Sequence, residues 1–225
     1  MIAPRLTFLR KSVYALGDCT VNTALSSLGL IYVPFYLTQV AGLDAWLAGL
    51  VPLIGRTVDA VTDPLMGRIS DTTRWRGGRR RPFFLIGAVP LGVSFALMWM
   101  EPPFAGQFAR FAYYCGAYCT MSVALTVLSV PYLALLPEMA LEYNARTSLN
   151  TFRNVGSLVG VFAAISIRPV ATLLGGDEPD YTAAGIVFGV LVALPWFAVW
   201  AATFERPEFA GRVAQAEGDV VHAAH

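Results

Sequence analysis

Charged and polar residues recur at helical spacing inside four of the most apolar stretches of this 225-residue chain. Asp18, Asn22 and Ser26 are four apart, and Arg56, Asp59 and Asp63 stand at i, i+3 and i+7. Cys115, Cys119, Ser122, Thr126 and Ser129 form a continuous stripe, and Asn150, Arg153, Asn154 and Ser157 cluster in the same way. Steps of three and four put side chains on one face of a helix. Asp18, Asp59 and Asp63 face only Arg56 and Arg153, so one negative charge is left over if every group ionises. In a low dielectric that surplus is heavily penalised. Protonation of one carboxyl, favoured by burial and like charge, or a bound cation removes it. The pattern therefore reads as a site for H⁺ or a monovalent cation. A buried network pairing Arg56 with Asp59 or Asp63, which only fixes helix packing, is the alternative. The fourth stripe likewise reads either as part of the site or as a close-packing surface for a neighbouring helix.

Other chemistries find little support. No nucleophile stands beside a base, and carboxylates without a histidine partner define no reaction class, so an enzyme is not expected. Cys19, Cys115 and Cys119 lie in apolar surroundings and read as small core residues. His222 and His225 end the chain in a polar tail. Neither set suggests a metal site or a disulfide framework, and no cofactor is expected beyond the coupling ion. A net charge of +1 leaves no footprint for nucleic acid.

Apolar spans must position these residues. Hydrophobic residues make up 56% and charged residues 14% of the chain, and mean hydropathy is +0.57. Soluble domains carry about a quarter charged residues, so the composition points to a bilayer. Six stretches of the length needed to span one run from Val13 to Leu37, Trp46 to Met66, Phe83 to Met100, Phe108 to Leu133, Ser148 to Leu174 and Tyr181 to Phe204. Residues 1–204 thus form one six-helix membrane domain, and 205–225 a polar cytoplasmic tail. Arg68, Arg74, Arg76, Arg79, Arg80 and Arg81 follow the second stretch, Arg5, Arg10 and Lys11 precede the first, and Arg146 precedes the fifth. The opposite loops hold mainly Asp44, Glu101, Asp177, Glu178 and Asp180. This asymmetry predicts both termini in the cytoplasm of a multi-pass plasma or inner-membrane protein. At 1.5 Å of rise per residue, Asp18, Asn22, Asp59, Asp63 and Arg153 all fall roughly 5 to 14 Å from the cytoplasmic helix ends. Independent helices have no reason to share such a layer; a common site does.

At "GRTVDAVTDPLMGRISDTTRWRGGRRRP" the chain resembles the glycoside-pentoside-hexuronide:cation symporters, the melibiose permease branch of the major facilitator superfamily. "YALGDCTVN" and "VPYLALLPEMALEYNARTSLNTFRNVGSLVG" look like the same family, in the same order. The resemblance implies an all-α membrane protein equivalent to half a major facilitator fold, built from two inverted three-helix repeats. It implies cation-coupling roles for Asp59 and Asp63, with Asp18 and Asn22 beside them. Arg153 looks like the fifth-helix arginine that helps hold sugar, and Asp18, Arg56, Thr126, Ser129 and Asn154 complete the implied substrate surface. Gly67, Asp71, Arg79, Arg80 and Arg81 resemble the gating loop between the second and third helices. Asn22 stands where melibiose permease has an acid, which favours H⁺ over Na⁺. Ser129 and Leu133 replace an acidic sugar ligand and a tryptophan, which leaves non-sugar substrates open.

Family members have about twelve helices in two parallel halves, and six would leave the polar layer facing lipid. The expectation is a cation-coupled symporter of a sugar or related small solute, working by alternating access in a parallel homodimer. A heterodimer, a fragment, or a non-transporting assembly partner is the other reading.

Overall fold

The structure is a computed structural model that describes residues 6–73, 75, 78–103 and 105–205. Arg5, Arg74, Arg76 and the tail beyond Glu205 lie outside the described residues.

Among these residues the chain forms six helical rods. The first is α1 (Phe8–Ser27), opened by the Thr7 hydroxyl accepting from Arg10 N. It continues as a wider, π-type segment, Leu28–Val40, around Pro34. A proline cannot donate to the ladder, and wider i→i+5 bonds such as Ala41 N to Tyr36 O, 2.8 Å, absorb the disruption. The rods that follow are α2 (Ala45–Thr72), α3 (Pro82–Met98) and α4 (Gln107–Met139). The fifth rod is split at Ser166 into α5 (Tyr143–Ile165) and α6 (Ile167–Gly175), and the sixth is α7 (Tyr181–Ala202). Four rods, spanning Phe8–Val40, Gln107–Met139, Tyr143–Gly175 and Tyr181–Ala202, are long and apolar enough to cross a membrane. Pro82–Met98 is apolar but shorter. The second rod is long but carries Arg56, Asp59, Asp63, Arg68 and Asp71.

Several boundaries differ from the hydropathy reading. Helix α2 runs six residues past Met66, so Gly67 and Asp71 lie on its last turns and not in a loop. Thr73 stops it in an extended conformation, both its N–H and its hydroxyl bonding Ile69 O, at 3.0 and 2.6 Å. Helix α4 likewise runs past Leu133 to Met139, through Pro131 and Pro137. Hydropathy windows end where charge begins, but a helix continues as long as its backbone bonds are met.

Rod one packs on rod five, rod two on rod four and rod three on rod six; rod three also meets rod four, and rod one meets rod six. Exchanging rods one, two and three for four, five and six maps this set onto itself. The bundle is thus a pair of three-rod repeats, and an odd number of antiparallel rods inverts the second against the first. The rod-one/rod-five contact is backbone-close. A Cβ at Gly156 would stand 2.3 Å from Ala15 O, and one at Gly160 would stand 2.2 Å from Cys19 O. The G-x-x-x-G spacing exists to allow that approach. Large aromatic side chains fill the interior, with Tyr14, Tyr32, Tyr36, Phe84, Trp99, Tyr114, Tyr132 and Trp196 almost fully buried.

Candidate functional site

The α2 acids meet hydroxyls from α4. Ser122 Oγ donates to Asp59 Oδ1 at 2.5 Å, and Thr126 Oγ1 donates to Asp63 Oδ1 at 2.7 Å. The register explains itself, since both pairs advance four residues along helices that pack together. A cavity of about 140 Å³ opens beside them, lined by Arg56, Asp59, Asp63 and Ser129 and walled by Val21 and Leu25 of α1. No ion pair within 4 Å joins Arg56 to Asp59 or Asp63 among the described residues. The ion-pair network that sequence leaves open is therefore not what holds these acids. They are carboxylates held by neutral donors, an arrangement able to take a proton or coordinate a small cation.

Asp18 belongs to a second cluster. Arg153 grips it with both arms, Nε on Oδ2 and Nη2 on Oδ1, the latter at 3.1 Å. The Arg153 Nη1 also reaches Asn150 Oδ1 at 3.3 Å. Asp18 is 9% exposed and Arg153 half-buried, so the fork is a partly buried, bidentate, charge-assisted contact. Asn22, grouped with the acids by spacing, turns its Nδ2 to Asp18 O at 2.9 Å within its own helix. Asn154 lies on the exposed side of α5. The residues of the polar layer thus separate into an Asp59/Asp63 cavity and an Asp18–Arg153 pair. Spacing reveals which residues share a helix face, but not which face meets which.

A third network ties the arginine-rich end together. Arg80 bonds Asp71 at 2.5 Å, Glu138 at 2.6 Å and Ala134 O at 2.6 Å, and Arg79 bonds the same Glu138 oxygen at 2.6 Å. Arg81 donates to Trp200 O at 2.7 Å and lies over the Trp200 ring. Burial lowers the Arg81 pKa from its ordinary value, and Glu205 opposes that. Glu205 accepts the backbone N–H groups of Arg79, Arg80 and Arg81 at 2.7, 2.8 and 2.9 Å, where α3 begins. A carboxylate there satisfies orphan donors and the positive end of the helix dipole. Gly67 touches nothing that a Cβ would meet. Ends of rods two, four and six are therefore joined through 79–81. Sequence reasoning passed over Glu138 and Glu205. Each is a lone acid closing an apolar helix, the one available signal, and its partners lie far along the chain.

Comparison with known proteins decides the family. A profile for the family described as "MFS/sugar transport protein" matches residues 13–221. The chain belongs to this family. Similar proteins include the symporter sll1374 of Synechocystis sp., 35% identical over 88% of this chain and 38% of the relative. YagG of Escherichia coli strain K12, named as a glycoside/cation symporter, is 34% identical over 91% of this chain and 45% of its own length. The sodium-dependent lysophosphatidylcholine symporter 1 of Gallus gallus is 30% identical over 73% and 31%. The chain spans less than half the length of these curated relatives. As a member of this family with four rods apolar enough to cross a bilayer, it is a multi-pass membrane protein of transporter kinship, not of enzyme kinship.

Proposed function

We propose that the chain is one six-helix unit of a cation-coupled symporter for a glycoside or related small solute. The observation that carries this reading is the Asp59/Asp63 pair, two carboxylates at membrane depth held by hydroxyls, with no basic partner within ion-pair reach among the described residues. Ionisable groups at such depth mark ion or substrate pathways. H⁺ is favoured over Na⁺ because Asn22 of α1 supplies a neutral amide where the family resemblance implies an acid. Arg153 and Asp18 are the residues proposed to meet substrate, with Arg56, Thr126, Ser129 and Asn154 around them. Asp71 with Arg79, Arg80 and Arg81 acts as the gate, at the cytoplasmic side, where both termini also lie in this reading.

A second six-helix unit completes the path. Arg56, Asp63 and Asn154 are exposed in the single chain, and charged groups do not face lipid. A parallel homodimer supplies that cover, with each unit contributing one wall of an alternating-access cavity. The chain's match to 38–45% of two symporter relatives supports a second reading, a half that works only with a separate C-terminal half.

Purified chain in proteoliposomes, tested for uptake of radiolabelled glycosides under imposed proton or sodium gradients, distinguishes these. Uptake that collapses with the proton gradient supports the homodimeric symporter. Uptake only when a matching half is added supports the second reading, and none in either case rejects transport.

A further inference from the structure

Tyr132, outside the polar stripe of α4, touches both members of the Asp18–Arg153 pair. Its hydroxyl stands 2.8 Å from Tyr14 O and 3.2 Å from Asp18 Oδ2. The Arg153 guanidinium lies over its ring, 5.5 Å from the centroid. Tyr14 answers from α1 with its own hydroxyl on Tyr132 O at 2.7 Å, and the two rings stack at 4.3 Å. Both side chains are buried. Beside the acid, Gly17 leaves the space this ring fills, since a Cβ there would stand 2.6 Å from it.

A phenol has one proton, and here it has two acceptors. With Arg153 engaged, Asp18 is supplied from both guanidinium arms, and the phenol is shared between the nearer Tyr14 carbonyl and Asp18 Oδ2. Once Arg153 is drawn away, Tyr132 is the remaining side-chain donor to Asp18 among the described residues. A carboxylate is the stronger acceptor, so the phenol turns to Asp18. Both acceptors belong to α1, so the turn exchanges the Tyr14 end of the α1–α4 contact for its Asp18 end, one helical turn along.

We infer that Tyr132 is a positioning residue that orients Asp18 for the bidentate grip of Arg153 and takes over that carboxylate, releasing the Tyr14 carbonyl, when the grip is lost. The inference deepens the transport reading, which supplies the reason for Arg153 to leave, but its geometry stands without it.

The test uses no transport substrate, so its failure is separate from failure of the symporter reading. The full chain, labelled with ¹⁵N-arginine in lipid nanodiscs, gives an Arg153 Nε–H resonance identified by its loss in Arg153→Lys. Tyr132→Phe keeps the ring and removes the hydroxyl; that resonance is expected to shift or broaden. Tyr14→Phe removes the other α1–α4 bond without touching Asp18, and should leave it within a linewidth. No change in Tyr132→Phe, or equal change in both, overturns the inference. A second measurement, ¹³Cζ-tyrosine labelling in Arg153→Gln, should move the Tyr132 signal toward a carboxylate-bonded phenol while Tyr14 stays. An unmoved Tyr132 signal overturns the takeover of Asp18 by the phenol.

Discussion

Ser122 donates its hydroxyl to Asp59 across the α2–α4 contact at 2.5 Å, and Thr126 repeats the contact to Asp63 one turn on. Neutral donors stabilise a carboxylate without cancelling its charge, which leaves the pair able to take up a cation. Asp59→Asn and Asp63→Asn are each expected to abolish gradient-driven accumulation in proteoliposomes while substrate exchange across the membrane persists. Ser122→Ala removes one bond to a charged group, roughly 1.5–3 kcal/mol, and because that bond favours the ionised carboxylate, its loss should raise apparent proton affinity by about tenfold or more. Undiminished coupling in both asparagine variants would reject a role for the pair.

Arg153 and Asp18 form a partly buried pair, and removing one member strands the other. Asp18→Asn or Arg153→Gln should each lower stability by about 1–3 kcal/mol, less than for a fully buried pair. Double replacement by neutral residues should cost less than the sum of the two, because no charge is stranded. Unfolding in detergent of the two singles and the double, read as a mutant cycle, checks this. Additive losses would show that the grip contributes nothing.

Gly156 and Gly160 carry the α1–α5 approach, whereas a Cβ on Gly116 would meet nothing within 4 Å. Gly160→Ala should therefore destabilise by about 1–3 kcal/mol through overpacking, and Gly116→Ala should leave the melting temperature unchanged or raised. Thermal unfolding of the two variants side by side distinguishes a contact from mere composition.

Glu205 closes rod six onto the start of α3. Glu205→Ala strands three backbone donors, and an observable loosening is expected: faster proteolysis at 73–81 and a lower melting temperature. Gly78 belongs to the same joint, with φ +117° and a Cβ that would stand 2.7 Å from Glu205 Oε1. Gly78→Ala should reproduce the effect through both strain and collision. Wild-type proteolysis in both variants would mean that the joint is held by Arg79 and Arg80 on Glu138 alone.

Much of this architecture is legible in one dimension. Six apolar stretches, the helical spacing of Arg56, Asp59 and Asp63, and the "RTVDAVTDPLMGRISD" motif lead to the family and to a six-rod bundle, because burial in lipid leaves a strong periodic signal. Helix ends were less legible. The hydropathy signal stops at Met66, yet α2 runs to Thr72, since backbone bonding there does not depend on apolar side chains.

The sequence by itself determined the family, the membrane-spanning character and the helix faces bearing Asp18, Asp59, Asp63 and Arg153, because those follow from local hydropathy and a 3.6-residue period. Only the tertiary structure decided which face meets which. It gave Asp18 to Arg153 and Tyr132, gave Asp59 and Asp63 to Ser122 and Thr126, and brought Glu138 and Glu205 to the arginines. Such pairings join residues 58 to 135 positions apart, and they depend on helix rotation and register, which packing of the whole bundle sets and no local pattern encodes.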